Sequence, residues 1–458
     1  MKIPRVVIAG IGSSCGKTTL ATGLMSAISS AGCRVQGFKV GPDFIDPSYH
    51  TSVTNVKSRN LDMWLLPEKT NLRLFQENAA NSEIAIIEGV MGLFDEAEGM
   101  RGQGSTAYIA KLLRSPVILV LDVWGMAGSA AAVVAGCKAV DRELNIAGVI
   151  LNRVANEKHT NLCRVAIEST TGIPVIGALP RDPDVRLPER HLGLVPTVEN
   201  PDIRLRLKKI SELVKANVAL EEIMKTARSA PPLPNIRTKP IQRKKVVARI
   251  GVAYDEAFNF YYQDGLDALE KMGAELHHFS PVHDKNLPDD FDGLYFGGGF
   301  PEVLTQELES NDSIRSAIKQ KAEQGMPIFA ECGGLMYLTK GITDFEQKRH
   351  PMVRLLDCET KMVRKLTLNY TSAAVVKSNI LSKHGDDLKG HEFHFSMLDE
   401  IPSDAKFAYV MKRGVGTDSG RDGWIQHSTL AQYMHLNLAA YPEFCSNFLA
   451  ACRRYKHT

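Results

Sequence analysis

The sequence predicts an α/β protein made of two doubly wound domains. Short apolar runs alternate with helical stretches in two parts of the chain, and a proline-rich segment separates these parts. The length of 458 residues is also too great for one ordinary hydrophobic core, so two domains of roughly 200 residues each are expected. We therefore expect a first domain over residues 1–228, a linker over 229–245 and a second domain over 246–458.

Apolar runs predict the buried strands of both domains. In the first domain they lie at residues 6–9, 84–87, 117–122, 148–152 and 174–178. In the second domain they lie at 247–253, 293–296 and 327–330, and a helix is expected over 263–272. Continuous apolar runs are typical of parallel strands that helices cover on both faces.

The expected linker is indicated by its prolines. Pro231, Pro232 and Pro234 cannot continue a helix or a central strand, since proline has no N–H to donate. Pro240 and the basic run at 243–245 follow. This composition predicts an extended, solvated segment.

Composition and charge exclude several classes of protein. An apolar content of 44% and a charged content of 23% are typical of a soluble globular protein. The formal net charge of +3 is small for this length, so neither nucleic acid nor a membrane surface is expected as a partner. The eight cysteines form no Cys-x-x-Cys pair, so neither disulfides nor a structural metal is expected. The chain has no run of about 18 apolar residues and no leader-like N-terminus, which predicts a cytoplasmic protein.

A glycine-rich turn follows the first strand and ends in Gly-Lys-Thr. Small residues let successive backbone N–H groups point into one concavity, where they bind the phosphates of a nucleotide. Lys17 is expected to reach the outer phosphates, and the Thr18 hydroxyl is expected to bind Mg²⁺. Five residues separate Gly10 from Gly16, one more than in the usual Walker A loop. The candidate nucleotide-binding residues of this loop are Gly12, Gly16, Lys17, Thr18 and Thr19.

Acidic residues near this loop are candidates for holding Mg²⁺. Glu88 directly follows the strand at 84–87, at the strand end where open α/β sheets bind ligands. Gly89 and Gly92 suggest close approach of a ligand to the backbone there, although Glu88 and Asp95 could also be solvated loop acids.

Two further positions leave alternatives open. A second acidic segment, 39–47, contains Asp43 and Asp46 as candidate acidic residues near the phosphate loop. The sequence Gly-Pro-Asp is also common in turns, so Asp43 could serve the turn alone. Asn152 follows the strand at 148–152, where a side-chain amide could bind a purine edge or could cap a helix or turn.

The second domain carries the residues of a cysteine nucleophile. Cys332 lies at an expected strand-to-helix turn followed by glycines, which permit the strained backbone of a nucleophile elbow. A helix N-terminus lowers a thiol pKa, and a histidine can act as base. The alternative is a buried, inert cysteine. Among thirteen histidines, His435 is favoured as base by order and context, but sequence spacing does not show that it meets Cys332.

Three consecutive glycines end another expected strand upstream of the cysteine. Their N–H groups could stabilise the oxyanion of a tetrahedral intermediate. They are Gly297, Gly298 and Gly299.

Together these segments resemble the cobyrinic acid a,c-diamide synthase family, which also includes nickel-sirohydrochlorin a,c-diamide synthases. In that family a dethiobiotin synthetase-like ATP domain with an extended phosphate loop precedes a class I glutamine amidotransferase domain. The resemblance covers nearly the whole chain. It rests on segments 10–19, 39–47, 58–62, 88–95, 297–302, 331–334, 390–394 and 433–436.

The resemblance implies ATP-dependent amidation of two acetate carboxylates on a cobalt corrinoid, with L-glutamine as nitrogen source. Cys332 would attack glutamine, His435 would shuttle protons, and ammonia would pass inside the protein to the other domain. There ATP would phosphorylate the substrate carboxylate, with Thr18, Asp46 and Glu88 holding Mg²⁺. Asp43 and Asp95 would contact the substrate or its intermediate. The family also implies a possible homodimer.

Two positions depart from the family pattern. Asn437 stands two residues after His435, where many relatives have histidine and amidotransferases with a full triad have glutamate, so the orienting partner of His435 is unassigned. Glu96 stands where relatives often have glycine, which puts fine substrate geometry in doubt.

Other functions compete with this interpretation. The same motifs are compatible with nickel-sirohydrochlorin as substrate, or with both rings, and cobyric acid synthase and hydrogenobyrinate diamide synthase belong to the wider resemblance. A protein of another class, a P-loop regulatory ATPase with a degenerate amidotransferase domain, is disfavoured by the intact Cys332, His435 and triglycine.

Overall fold

The computed structural model describes residues 1–96, 102–190, 193–200, 202–234, 236 and 245–456. The chain divides into two compact units, Met1–Thr238 and Lys239–Thr458. Within the described ranges, none of the helices combines the length and apolar character that a membrane span requires.

The first unit is a parallel sheet with helices between its strands. Its strands are β1 (Arg5–Gly10), β2 (Val35–Val40), β3 (Arg59–Leu61), β4 (Ile84–Glu88), β5 (Val117–Asp122), β6 (Ile146–Val154), β7 (Val175–Pro180), β8 (Glu189–Arg190) and β9 (Gly193–Leu194). Its helices are α1 (Lys17–Ser30), α2 (Ile45–Thr54), α3 (Glu68–Ala79), α4 (Thr106–Leu112), α5 (Ser129–Val140), α6 (Glu157–Thr171), α7 (Ile203–Asn217) and α8 (Leu220–Ser229).

The main sheet of this unit has the order β3-β2-β4-β1-β5-β6-β7, and all of its strands are parallel. Alternate residues of β1 enter two separate cores, with Val7 in one and Val6 and Ile8 in the other. Helices therefore cover both faces, as strands without polar alternation require. The five strands expected in this domain are confirmed as β1, β4, β5, β6 and β7.

The second unit combines a parallel sheet with an antiparallel extension. Its strands are β10 (Ala248–Ala253), β11 (Ala274–Phe279), β12 (Gly293–Phe296), β13 (Ile328–Glu331), β14 (Gly341–Thr343), β15 (Arg349–Pro351), β16 (Glu359–Val375), β17 (Asp387–Asp399), β18 (Lys406–Arg413), β19 (Arg421–Gln426) and β20 (Thr429–Gln432). Its helices are α9 (Gln263–Met272), α10 (Thr305–Ser310), α11 (Asp312–Glu323), α12 (Gly333–Leu338) and α13 (Pro442–Lys456).

The sheet of this unit has the order β11-β10-β12-β13-β20-β19-β18-β16-β14-β15, and β17 pairs with β16. The first five strands are parallel, whereas β19 and β18 continue the sheet in antiparallel pairs. The expected strands are confirmed as β10, β12 and β13, and the expected helix as α9. The α/β prediction therefore holds for both units, and the antiparallel extension adds to it.

The first residues of the expected linker pack against the first unit. The Arg5 guanidinium donates to the Pro231 carbonyl at 2.6 Å, and the Met1 amine donates to the Leu233 carbonyl at 3.0 Å. The Leu233 side chain is buried in the core of this unit. Residues 235 and 237–244, which include most of the basic run, lie outside the described residues.

Candidate active sites

The phosphate loop connects β1 to α1 at the carboxyl edge of the first sheet. Gly16 has φ +99°, and a Cβ there would lie 2.3 Å from Asn152 Nδ2, so only glycine fits without movement. The Lys17 ammonium donates to the Gly12 carbonyl at 2.7 Å. The loop thus places Gly12, Gly16 and Lys17 together, and Thr18 and Thr19 follow in the first turn of α1.

Asn152 lies at the same sheet edge and holds the loop in place. Its Nδ2 donates to the Cys15 carbonyl at 2.9 Å, and its Oδ1 accepts the Arg153 N–H at 3.0 Å. The amide is therefore bound to the phosphate loop from a strand far along the chain.

A buried cluster of charged side chains surrounds Thr18. Glu88 is fully buried, and its Oε1 accepts from the Thr18 hydroxyl at 2.6 Å and from Lys39 Nζ at 2.9 Å. Its Oε2 lies 2.7 Å from His50 Nε2. Asp46 Oδ2 lies 2.5 Å from Lys39 Nζ and 3.4 Å from the Thr18 hydroxyl. Thr18, Asp46 and Glu88, three residues from separate elements, therefore converge.

Burial and charge oppose each other in this cluster. Burial alone would raise the pKa of Glu88, but Lys39 and the hydrogen bonds from His50 and Thr18 hold it well below its usual range. Burial alone would lower the pKa of Lys39, but Asp46 and Glu88 raise it above its usual value. Burial and the carboxylates of Asp43 and Glu88 raise the pKa of Asp46. The cluster therefore keeps Lys39 and Glu88 charged.

The donor set of this cluster fits Mg²⁺ bound together with phosphates. Thr18, Asp46 and Glu88 supply a hydroxyl and two carboxylates, and Mg²⁺ in nucleotide sites commonly takes one or two carboxylates with phosphate and water oxygens. Among the described residues, no group of three or more His, Cys, Asp or Glu side chains could hold a metal alone.

Asp43 and Asp95 each accept hydrogen bonds within their own turns. Asp43 Oδ1 accepts the N–H groups of Ile45 at 2.7 Å and Asp46 at 3.0 Å, at the start of α2. Asp95 Oδ2 accepts the Gly92 N–H at 2.7 Å. Each carboxylate therefore orders its own loop.

The sequence does not predict a role for two members of the buried cluster, Lys39 and His50. A lysine inside a buried strand indicates that anionic partners lie near it, since burial of an unpaired ammonium is costly. His50 lies four residues after Asp46 on α2, hence on the same helix face. His50 Nδ1 also lies 3.1 Å from the Ser58 hydroxyl.

In the second unit, Cys332 forms the turn between β13 and α12. Its φ of +48° and ψ of −104° are strained for a residue with a side chain, as in a nucleophile elbow. The side chain is 3% exposed, and Sγ lies 3.6 Å from the Phe393 carbonyl. Burial, followed by the Glu302 carboxylate, raises the pKa of the Cys332 thiol above its usual value, which is opposite to the lowering expected from a helix N-terminus. This direction favours the protonated thiol, so Cys332 would require a base to act as a nucleophile.

His435 follows β20, which is the sheet neighbour of β13. The Cys332 N–H donates to the Gln432 carbonyl at 2.7 Å, and the His435 N–H donates to the His391 carbonyl at 2.8 Å. Burial, followed by His391 and His394, lowers the pKa of His435 well below its usual value. The imidazole is therefore neutral, the form that can accept a proton.

The triglycine, residues 297–299, lies against both the turn at Cys332 and the His435 ring. The Gly334 N–H donates to the Gly297 carbonyl at 3.1 Å, and a Cβ on Gly333 would lie 3.1 Å from the Gly299 nitrogen. A Cβ on Gly298 would lie 2.4 Å from His435 Cε1.

The three glycines differ in their own contacts. The Gly297 N–H already donates to the Tyr261 hydroxyl at 2.7 Å. Gly299 has φ +156°, and a Cβ there would lie 2.0 Å from the Ala257 carbonyl oxygen. Gly298 lies closest to the imidazole ring of His435.

Glu331 connects the cysteine strand to the histidine segment and was not singled out by the sequence. Its Oε1 accepts the Leu436 N–H at 2.7 Å, and its Oε2 accepts the Tyr295 hydroxyl at 2.7 Å. Burial raises its pKa to about 8. Asn437, at the departure from the family pattern, uses its Oδ1 to accept the Ala439 N–H at 3.1 Å, so it caps the following turn.

Two family models match the chain. A CobQ/CobB/MinD/ParA nucleotide binding domain matches residues 6–195, and a CobB/CobQ-like glutamine amidotransferase domain matches residues 249–442. The first unit is therefore a nucleotide-binding domain and the second a glutamine amidotransferase domain, as the sequence predicted.

Relatives of nearly equal length carry one name, cobyrinate a,c-diamide synthase. The protein of that name from Dehalococcoides mccartyi is 44% identical over 99% of this chain and 99% of its own. The relative from Methanosarcina acetivorans is 42% identical over 99% of this chain and 96% of its own. The relative from Methanothermobacter thermautotrophicus is 43% identical over 97% of this chain and 98% of its own. The chain therefore belongs to the cobyrinate a,c-diamide synthase family and is a glutamine-dependent, amide-forming ligase.

Proposed function

We propose that this protein uses ATP and L-glutamine to amidate the a- and c-acetate carboxylates of cobyrinic acid, a reaction of cobalamin biosynthesis. The observation that carries the proposal is the approach of the triglycine to both Cys332's turn and His435, in a chain that also has a phosphate loop. The name of relatives up to 44% identical supports the choice of substrate.

In the second domain the proposed reaction is glutamine hydrolysis. Cys332 Sγ attacks the amide carbon while a ring nitrogen of His435 takes the thiol proton. The N–H groups of Gly298 and Gly299 stabilise the oxyanion, since that of Gly297 already binds Tyr261. His435 gives its proton to the departing nitrogen, and ammonia leaves. Water then cleaves the thioester, which releases glutamate and restores the thiol.

In the first domain the proposed reaction activates a carboxylate. A carboxylate oxygen of the macrocycle attacks the γ-phosphorus of ATP, and ADP leaves. Ammonia attacks the acyl carbon, phosphate departs with the bonding electrons, and a proton is lost as the amide forms. Thr18, Asp46 and Glu88 would hold Mg²⁺, which neutralises phosphate charge when bound.

The remaining residues take supporting roles in this proposal. Lys17 neutralises the transferring phosphoryl oxygens, and Asp43 and Asp95 orient the substrate or its acyl phosphate. The others hold the nucleotide, namely Gly12, Gly16, Thr19 and Asn152. We place the enzyme in the cytoplasm, where ATP and glutamine are available, and expect a homodimer, which light scattering of the purified chain tests.

Alkylation of Cys332 tests the proposal. Treated enzyme should lose glutamine-dependent amidation and keep amidation with added ammonium, because the first domain needs ammonia alone. The Cys332→Ala variant should behave like treated enzyme and should not respond further to the reagent. The Lys17→Ala variant is the matched control, since it should lose amidation from both nitrogen sources and keep glutamine hydrolysis. An unchanged glutamine-dependent rate after complete alkylation of Cys332 would contradict the proposal.

A further inference from the structure

Three exposed apolar side chains lie at the carboxyl edge of the first sheet. Ile11 follows β1, Met91 lies three residues after β4, and Trp124 lies two residues after β5. Their exposed fractions are 36%, 38% and 59%. Scattered single apolar side chains are normal on a surface, whereas exposed apolar side chains gathered in one place are typical of binding surfaces.

These side chains belong to adjacent parts of the sheet. The strands β4, β1 and β5 are neighbours in that order. Neighbouring strands lie about 4.8 Å apart, so the three chain segments leave the sheet within about 10 Å of one another. Ile11 also forms a backbone bridge with Gly92, the residue after Met91. We call Ile11, Met91 and Trp124 the apolar edge.

A cation lies beside the apolar edge. The Arg181 guanidinium carbon lies 4.8 Å from the centroid of the Trp124 ring, and Arg181 is exposed. Arg181 directly follows β7, so it comes from the same edge of the sheet. The surface therefore combines an apolar patch with a positive charge at its rim.

Hydrogen bonds connect Trp124 to the phosphate loop. The Trp124 N–H donates to Asp122 Oδ1 at 3.0 Å, and the other oxygen of Asp122 pairs with Arg153. Arg153 Nη2 in turn donates to the Ser14 carbonyl at 3.4 Å. A molecule on the apolar edge would therefore lie next to the loop that holds the reacting phosphate.

We infer that the apolar edge and Arg181 bind the flat face of the tetrapyrrole substrate. This inference rests on the proposed function. A tetrapyrrole has a broad apolar ring with carboxylates at its periphery, and the apolar edge offers apolar contact with one cation for a carboxylate. A second peripheral carboxylate can then face Lys17 and the buried cluster around Thr18.

The test is steady-state kinetics of full-length variants with cobyrinic acid. Trp124→Ala should raise the KM for cobyrinic acid by about tenfold, through loss of ring stacking and buried apolar area, and should leave the KM for ATP and glutamine unchanged. Trp124→Phe should restore most of the affinity. Arg181→Met should also raise the KM for cobyrinic acid. The control is Leu162→Ala on α6, an apolar side chain 52% exposed, which should behave as wild type.

Equilibrium dialysis with cobyrinic acid gives a second readout that does not depend on turnover. Weaker retention of cobyrinic acid by Trp124→Ala supports the inference. An unchanged KM and unchanged retention would overturn it while leaving the proposed function intact. A raised KM for ATP alone would also overturn it, because Trp124 would then contact the nucleotide. Failure of the wild type to amidate a tetrapyrrole would overturn the proposed function and this inference with it.

Discussion

The buried carboxyl of Glu331 is expected to hold His435 in register with Cys332. Glu331 is the last residue of β13, directly before Cys332, and it accepts the N–H of Leu436, directly after His435. Glu331→Ala removes this bond and the bond from the Tyr295 hydroxyl. Two buried donors are then unsatisfied, at about 1–3 kcal/mol each, so the local loss of stability should be about 2–6 kcal/mol.

Two measurements on Glu331→Ala report this local loss of stability and its effect on the reaction. Hydrogen exchange of a peptide containing Leu436 should accelerate, because the amide loses its acceptor. The kcat of glutamine hydrolysis should fall, since a small displacement of His435, the proposed base, costs much of the rate. Amidation with added ammonium should stay at the wild-type rate, which shows that the first domain is intact. Tyr295→Phe is the matched control, because it removes one bond, worth about 1 kcal/mol, and leaves Leu436 bound.

A Glu331→Ala variant with wild-type glutamine hydrolysis and wild-type exchange at Leu436 would contradict this role of Glu331. An equal loss of glutamine hydrolysis in Tyr295→Phe and Glu331→Ala would also contradict it, since the Leu436 bond would then have no special importance.

Three further predictions concern other parts of the two sites. Gly299→Ala should lower glutamine hydrolysis by at least about 10²-fold, because its Cβ would lie 2.0 Å from the Ala257 oxygen and would displace the N–H group that we propose to stabilise the oxyanion. His50→Ala should lower ammonium-dependent amidation by about 10–100-fold and raise the Mg²⁺ requirement, because Glu88 loses a partner that orients it. Glu331, whose pKa rises from its ordinary 4.5 to about 8 on folding, binds an extra proton in the folded state between these values. Stability of the second domain should therefore fall as pH rises through that window, and thermal melting of Glu331→Gln should show a weaker pH dependence.

Each of these predictions has a contradicting result. For Gly299→Ala it is unchanged glutamine hydrolysis. For His50→Ala it is an unchanged Mg²⁺ requirement, or an equal loss of glutamine hydrolysis, which would indicate general unfolding. For the pH dependence it is an identical pH profile of melting in wild type and Glu331→Gln.

The sequence predicts strands that contain a continuous apolar run, and misses strands in which polar residues interrupt such a run. The strands β1, β5 and β13 each contain a continuous apolar run, at 6–9, 117–121 and 328–330, whose residues are buried on both faces. In contrast, β2 contains Gln36 and Lys39, which are buried only because partners from other elements satisfy them. The strands β16 and β17 pair in antiparallel fashion and expose part of their residues, so they lack a continuous apolar run.

In the candidate sites, too, the sequence shows local patterns but not the partners that come from distant parts of the chain. Lys17 and Cys332 stand next to glycines in strand-to-helix turns, a local pattern that a sequence displays. The bond between Glu331 and Leu436 joins residues 105 positions apart, and the bond between His50 and Glu88 joins residues 38 apart. Such partners depend on which strands and helices become neighbours, and local patterns do not specify this.

The proposed function is tested most simply by measuring ATP- and glutamine-dependent amidation of a tetrapyrrole. Purified protein is incubated with ATP, Mg²⁺ and glutamine, with cobyrinic acid and nickel-sirohydrochlorin in parallel reactions, and the products are analysed by mass spectrometry. Two amidations of cobyrinic acid are expected. Amidation of the nickel ring alone would assign nickel-sirohydrochlorin as the substrate, and amidation of neither ring would contradict the proposed function.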